Sequence, residues 1–251
     1  GATSGDYLLW DESADTLILH GDMQTATAGT SNFVLGVNAG DSIESGGNYN
    51  VAIGDEAGTA LTTGDDNVAV GYAALDANTT GGSNVGIGSS AMGANTTGAN
   101  NVAVGYNALL ANTSANYNSA FGERAMSANT TGANNTAIGS QALLANTTGT
   151  QNIALGYGAL VANTTASYNT ALGYNTLAGN TTGASNVAVG YLALDANTTA
   201  DYNVAVGSNA LGATTTGASN VAVGHGALLV NTTGSRNHAI GQGTLGSNTT
   251  G

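Results

Sequence analysis

Apolar and polar positions follow one another along this chain in a pattern that restarts every seventeen residues. From Asn101 it reads Asn-Val-Ala-Val-Gly-Tyr-Asn-Ala-Leu-Leu-Ala-Asn-Thr-Ser-Ala-Asn-Tyr. The opening Asn, position 1, recurs at Asn32, Asn50, Asn67, Asn84, Asn101, Asn118, Asn135, Asn152, Asn169, Asn186, Asn203, Asn220 and Asn237. The first step is one residue longer than all the later ones, and position 5 is Gly in all thirteen units. A unit this short cannot bury an apolar face alone, so it must stack on its neighbours as a solenoid does.

The apolar tripeptide at positions 2 to 4 is β-branched and ends at Gly, which predicts a short strand. Position 4 is always large and apolar, as in Val104 and Ile138. A second apolar group, Ala-Leu-x-Ala, carries Leu or Met at position 9 in eleven units. Its run of about four residues is too short for a helix. Each coil therefore reads as strand, Gly turn, second strand, Asn-Thr-Thr-Gly turn. Parallel stacking at about 4.8 Å gives a rod roughly 60 Å long. Positions 4 and 9 are expected to form the core, with Leu109, Ile138 and Leu143 buried. Strand alternation puts position 10 opposite, so Asp76 and Asp195 are expected to be exposed. The small residue at position 3 implies a close neighbour, either the opposite sheet or a second chain.

Residues 1–31 lie before the repeats. Two apolar runs, Tyr7 to Asp11 and Thr16 to His20, flank Glu-Ser-Ala-Asp and predict a β-hairpin. Trp10 is the only Trp, and its expected role is to cap the open edge of the first coil. The fold expected is thus all-β: a hairpin in 1–31, then a parallel β-roll over 32–251.

Composition narrows the function classes. The chain has 251 residues, no Pro, no Cys and 39 Gly. Its only permanent cations are Arg124 and Arg236, and the formal charge is −13. Phosphate repels such a surface, which excludes nucleic acid as a partner and disfavours an anionic membrane. No apolar run of about 18 residues is present, so membrane insertion is not expected. The missing initiator Met and the short final unit point to a segment of a longer or processed chain.

The unit Asn-Val-Ala-Val/Ile-Gly, followed by small-residue turns, resembles the head repeats of trimeric autotransporter adhesins of the YadA type. With its Ala-Leu and Asn-Thr-Thr-Gly extensions it is also similar to segments of bacteriophage tail fibres. The resemblance covers residues 32–251 and implies a left-handed roll with three chains around one axis. The coil of this chain is longer than the adhesin repeat, so a monomeric roll stays open beside the trimer. The hairpin resembles Leu-Trp-Asp hairpins of phage fibre proteins. The implied role is a structural and adhesive fibre segment, on a cell surface or virion, assembled as a homotrimer or filament and touching a cell-surface glycan or host receptor.

Candidate chemistry is sparse. Tyr72, Tyr106, Tyr157, Tyr174 and Tyr191 share position 6, and Tyr49, Tyr117, Tyr168 and Tyr202 precede the opening Asn. Such columns can contact sugars or proteins, or pack against a neighbouring chain. Asn78, Asn95, Asn112, Asn129, Asn146, Asn163, Asn180, Asn197, Asn231 and Asn248 begin formal N-glycosylation sequons. The same residues suit turns and stacked amide ladders. His20, His225 and His238 show no zinc spacing. No carboxylate pair, among them Glu56 with Asp65 or Asp55 with Glu123, is singled out for glycoside hydrolysis, and Gly64–Asn67 lacks the calcium-solenoid motif. Catalytic, cofactor and metal sites are therefore all expected to be absent. Two alternatives remain: a solenoid that binds or cleaves polysaccharide, and an ice-binding solenoid built on its Thr rows.

Overall fold

The computed structural model describes residues 7–11, 16–20 and 27–250. Strands β1 (Tyr7–Asp11) and β2 (Thr16–His20) pair antiparallel, Tyr7 with His20 and Asp11 with Thr16. That is the expected hairpin. Its turn lies outside the described residues, and the described part of Trp10 is its backbone in β1, which does not bear on the capping role.

Each later unit contributes one three-residue strand, from β3 (Phe33–Leu35) to β15 (His238–Ile240). These thirteen strands form a single sheet in chain order. Every pairing is parallel and in register, as where Val102, Ala103 and Val104 lie beside Ser119, Ala120 and Phe121. The fold is a parallel β-solenoid with one coil per sequence repeat. Hydrogen bonds between coils continue around the cross-section: from the coil at Asn101, Gly105 N–H donates to Ile87 O at 2.8 Å, Leu109 N–H to Ala125 O at 2.9 Å and Thr113 N–H to Thr130 O at 3.1 Å.

The invariant Gly at position 5 has two causes. Its φ is +119° to +141° in all thirteen coils, a region closed to residues with a Cβ. Next to it the following coil passes very close: a Cβ on Gly105 would sit 2.6 Å from Gly122 O.

The core differs from expectation at three places. First, the inward residue of each strand is position 3, not position 4. Ala103, Ala120, Ala137 and Ala154 are fully buried, whereas Ile138 is 40% exposed and Leu155 41%. The interior is too thin for two facing rows of large side chains. Leu109 and Leu143 at position 9 are buried as expected, and opposite them there is room only for Ala. A Cβ on Gly86, which stands at position 3, would lie 3.2 Å from Leu75 Cγ. The close neighbour of position 3 is thus position 9 of the same chain.

Second, Ala-Leu-x-Ala is not a strand. Positions 7 and 9 have positive φ in every coil, for example Asn107 at 53° and Leu109 at 53°. This backbone turns both Ala108 and Leu109 inward, and both are fully buried. It also explains why position 9 is only Leu, Met or Gly, since β-branched residues are strongly disfavoured at positive φ.

Third, Asp76 and Asp195 are half-buried rather than exposed, because adjacent inward residues abolish the strand alternation on which that expectation rested. The first two coils show a matched exchange. Gly40 and Gly58 replace Leu at position 9, while Ile43 and Leu61 replace Asn at position 12 and are buried in the space released.

Candidate functional site

Two columns of buried Asn, one at position 1 and one at position 12 of most coils, hold the coils closed. At position 1, the side-chain oxygen accepts the backbone N–H of the next coil's Asn, as Asn84 Oδ1 does from Asn101 N at 3.0 Å. The same Asn reaches across its own coil, Asn101 Nδ2 donating to Ala115 O at 2.8 Å. At position 12, Asn112 Nδ2 donates to Asn95 Oδ1 at 2.7 Å and to that same Ala115 carbonyl at 3.2 Å. Where both Asn are present, one carbonyl per coil thus receives both columns. A buried amide network is stabilising only when its groups are satisfied, and repetition satisfies nearly all of them here. Among the described residues the exceptions are Asn231 Oδ1 and Asn237 Nδ2 near the carboxyl end, and, in the interior, Asn197 Oδ1, each buried without a partner. Asn197 is the one with a visible cause. Its donor is missing because position 12 of the next coil is Thr214, whose hydroxyl donates instead to Asn231 O at 2.8 Å.

This network bears on the sequons. Asn78, Asn95, Asn112, Asn129, Asn146, Asn163, Asn180, Asn197 and Asn231 are all fully buried. Their Nδ2 atoms, the atoms a glycan would need, donate inside the coil in each case, as Asn78 and Asn231 do to Gly81 O and Gly234 O. The folded rod therefore has no room for N-linked glycans there, and the amide-ladder reading of these residues is the one the geometry supports. Asn248, in the last coil, is half-buried.

The position 6 tyrosines are exposed: Tyr72, Tyr106, Tyr157, Tyr174 and Tyr191. Three in successive coils stack on one another. Tyr157 and Tyr174 have ring centroids 5.4 Å apart at 15°, and Tyr174 and Tyr191 5.6 Å apart at 14°. Both faces of the Tyr174 ring are therefore taken by its neighbours, and a sugar approaching this ladder from solvent meets ring edges. Tyr49, Tyr117, Tyr168 and Tyr202 are exposed singly on positive-φ backbone. Tyr72 hydrogen-bonds Glu56, and this bond, with the carboxylate's charge, raises the Tyr72 phenol pKa above its usual value.

The remaining polar candidates are dispersed. Among the described residues no group of three His, Cys, Asp or Glu is placed to hold a metal ion. His225 and His238 are exposed; His20 lies in β2. Asp55 and Glu123 stand four coils apart, about 19 Å along the rod, beyond the roughly 5–10 Å of a glycosidase pair. In the Gly64–Asn67 turn, Asp65 Oδ1 already accepts Asn48 N–H at 2.7 Å. The Thr pair divides as well: position 13 hydroxyls donate to the next coil, Thr96 to Thr113 O at 2.9 Å, and position 14 leaves one exposed file, including Thr97, Thr131 and Thr148.

Asp76 and Asp195 occupy similar notches. The next coil has Gly at the same position, and a Cβ on Gly93 would lie 3.2 Å from Asp76 Oδ1, one on Gly212 3.6 Å from Asp195 Oδ1. Burial is the main cause that raises both carboxyl pKa values, partly offset by backbone hydrogen bonds.

Sequence reasoning missed the outward face of the sheet. Positions 2 and 4 place Ile87, Phe121, Ile138, Ile153, Leu155 and Leu172 in solvent. The signal was available in the strand period: with Ala inward at position 3, its neighbours must point out.

No family model matches the chain, and neither a curated protein nor a solved structure matches it. Among the described residues no helix is long and apolar enough to cross a membrane.

Proposed function

We propose that the chain is a structural and adhesive segment of an extracellular or virion fibre, without catalytic activity, assembled as a homotrimer. The observation that carries this reading is the exposed apolar face of a long, regular rod. Contiguous apolar surface beyond a few hundred Å² marks an interaction site, and here it follows the whole axis. The uniform coils fit a load-bearing spacer better than an enzyme, which needs an irregular groove with convergent polar groups. The Tyr columns, outside the buried core, are the surfaces offered to a cell-surface glycan or host receptor. Light scattering on the purified chain at micromolar concentration is expected to give three times the chain mass. A monodisperse monomer overturns the assembly. Adhesion is tested separately, by binding of fluorescent rods to candidate host cells, with Tyr117→Ser and Tyr168→Ser expected to weaken it.

A further inference from the structure

The outward face asks for a partner whose side chains recur at the same interval. It passes thirteen strands, about 60 Å, and is about 10 Å wide, three residues of extended chain. Each copy that covers this face buries on the order of 600 Å² of it, so an assembly of two or three copies reaches about 1,200–1,800 Å², the range that stable, specific interfaces use. A second copy of this chain has the required period over the required length. With the two axes parallel, each layer of one copy meets a layer of the other.

Repetition also creates a difficulty. Sliding one copy by a single coil loses one layer and keeps all the others in step, so layers of such similar size leave the axial register poorly defined. Most layers pair Val, Ile, Leu or Thr at positions 2 and 4, and one combines the extremes of both columns. Phe121 is the largest side chain in the position 4 column, and Ser119, in the same strand, is the smallest in the position 2 column. Phe121 is 40% exposed although it is bulky and apolar, and no residue of the described chain covers it more fully.

We propose that a second copy lies parallel on this face, with position 4 of one chain against position 2 of the other, and that Phe121 seated over Ser119 of the second copy locks the axial register. In a slipped arrangement Phe121 meets Val102 or Thr136 instead, where the hollow is filled and the layer is overpacked. The inference rests on the self-assembly reading above and adds to it the face, the polarity and the register.

The chain has no Cys, so introduced thiols report without background. Rods carrying Val204→Cys are co-expressed with rods carrying Val206→Cys and oxidised; these positions share one layer. A second pairing joins Val204→Cys to Leu172→Cys, two coils away, or about 10 Å, beyond the roughly 7 Å over which a disulfide closes. The expected result is an interchain disulfide in the first pairing, at least tenfold above the second. In rods that also carry Phe121→Ser, the displaced disulfide is expected to rise to the same order as the in-layer one. Phe121 lies outside the core, so its truncation leaves the single rod folded, which circular dichroism checks. Equal formation of both disulfides in rods retaining Phe121 overturns the lock, as does a register that Phe121→Ser leaves unchanged. An oligomeric mass with neither disulfide overturns the choice of face while sparing self-assembly. A monomeric mass overturns both.

Discussion

The position 12 ladder has an interior break at Thr214, and Thr214→Asn should repair it. The substitution gives up one hydrogen bond, from the Thr214 hydroxyl to Asn231 O at 2.8 Å, worth about 1 kcal/mol. It supplies an amide nitrogen to Asn197 Oδ1, now buried without a partner. Relieving a buried orphan acceptor is worth about 1–3 kcal/mol. It also offers a carbonyl oxygen to Asn231 Nδ2, which elsewhere in the ladder donates both along the rod and within its own coil, as Asn146 Nδ2 does to Asn129 Oδ1 and Gly149 O. Nine other coils seat a buried Asn at this position, so no new space is needed. The net gain is about 1–2 kcal/mol. If the rod melts as a unit, Tm rises by about 2–8 °C. Because solenoids open locally, amide hydrogen exchange is the sharper assay, with slower exchange expected in the coils from Asn186 to Asn237. Asn146→Thr is the mirror experiment: it creates the same break and should cost about as much. A Thr214→Asn rod that is less stable than the parent, or whose exchange slows nowhere near the junction, would refute the reasoning.

Three further outcomes are expected. Leu143→Ala should cost about 2–5 kcal/mol, as buried leucine truncations do, with hydrogen-exchange protection lost chiefly in the coils from Asn118 to Asn169. Gly105→Ala should cost more than the roughly 1–3 kcal/mol of backbone strain alone, since its Cβ would stand 2.6 Å from Gly122 O; Gly82→Ala, at a position where other coils carry Ala99 and Ala133, is the milder comparison in a denaturant melt. Asp76→Asn should stabilise the rod at neutral pH. Burial raises the folded-state pKa of Asp76 above its usual value, so the folded form holds the proton more tightly than the unfolded chain, and stability falls as pH rises through the carboxylate range. Chemical denaturation as a function of pH should show the Asn rod gaining on the parent above that range and converging with it below.

The period, the invariant Gly column and the hairpin were all legible in the sequence because each is a one-dimensional signal. The cross-section was harder. Treating Ala-Leu-x-Ala as extended chain put Asp76 on the outside, and ranking residues by size put position 4 on the inside. Three columns speak against the extended reading. Positions 7, 9 and 17 contain no Val, Ile or Thr in any coil, although the chain is rich in all three. All three columns have positive φ, as at Gln141, Leu143 and Tyr168, and exclusion of β-branched residues is the mark of that conformation. The Tyr columns were legible as columns. The stacking of Tyr157, Tyr174 and Tyr191 was not, because ring orientation depends on the turn backbone beside it. The sequons carried two readings, glycan acceptor and amide ladder, because a pattern of three residues does not report that the coil closes over the Asn.

The central claim is a rod that grows by one layer for each sequence repeat. Its most direct test is small-angle X-ray scattering of the chain with residues 135–168 removed, which joins Asn134 to Asn169 and keeps every column in register. The account predicts a folded rod with an unchanged cross-section, shorter by about 10 Å. A rod of unchanged length, a changed cross-section, or loss of folding on this in-register deletion would contradict it.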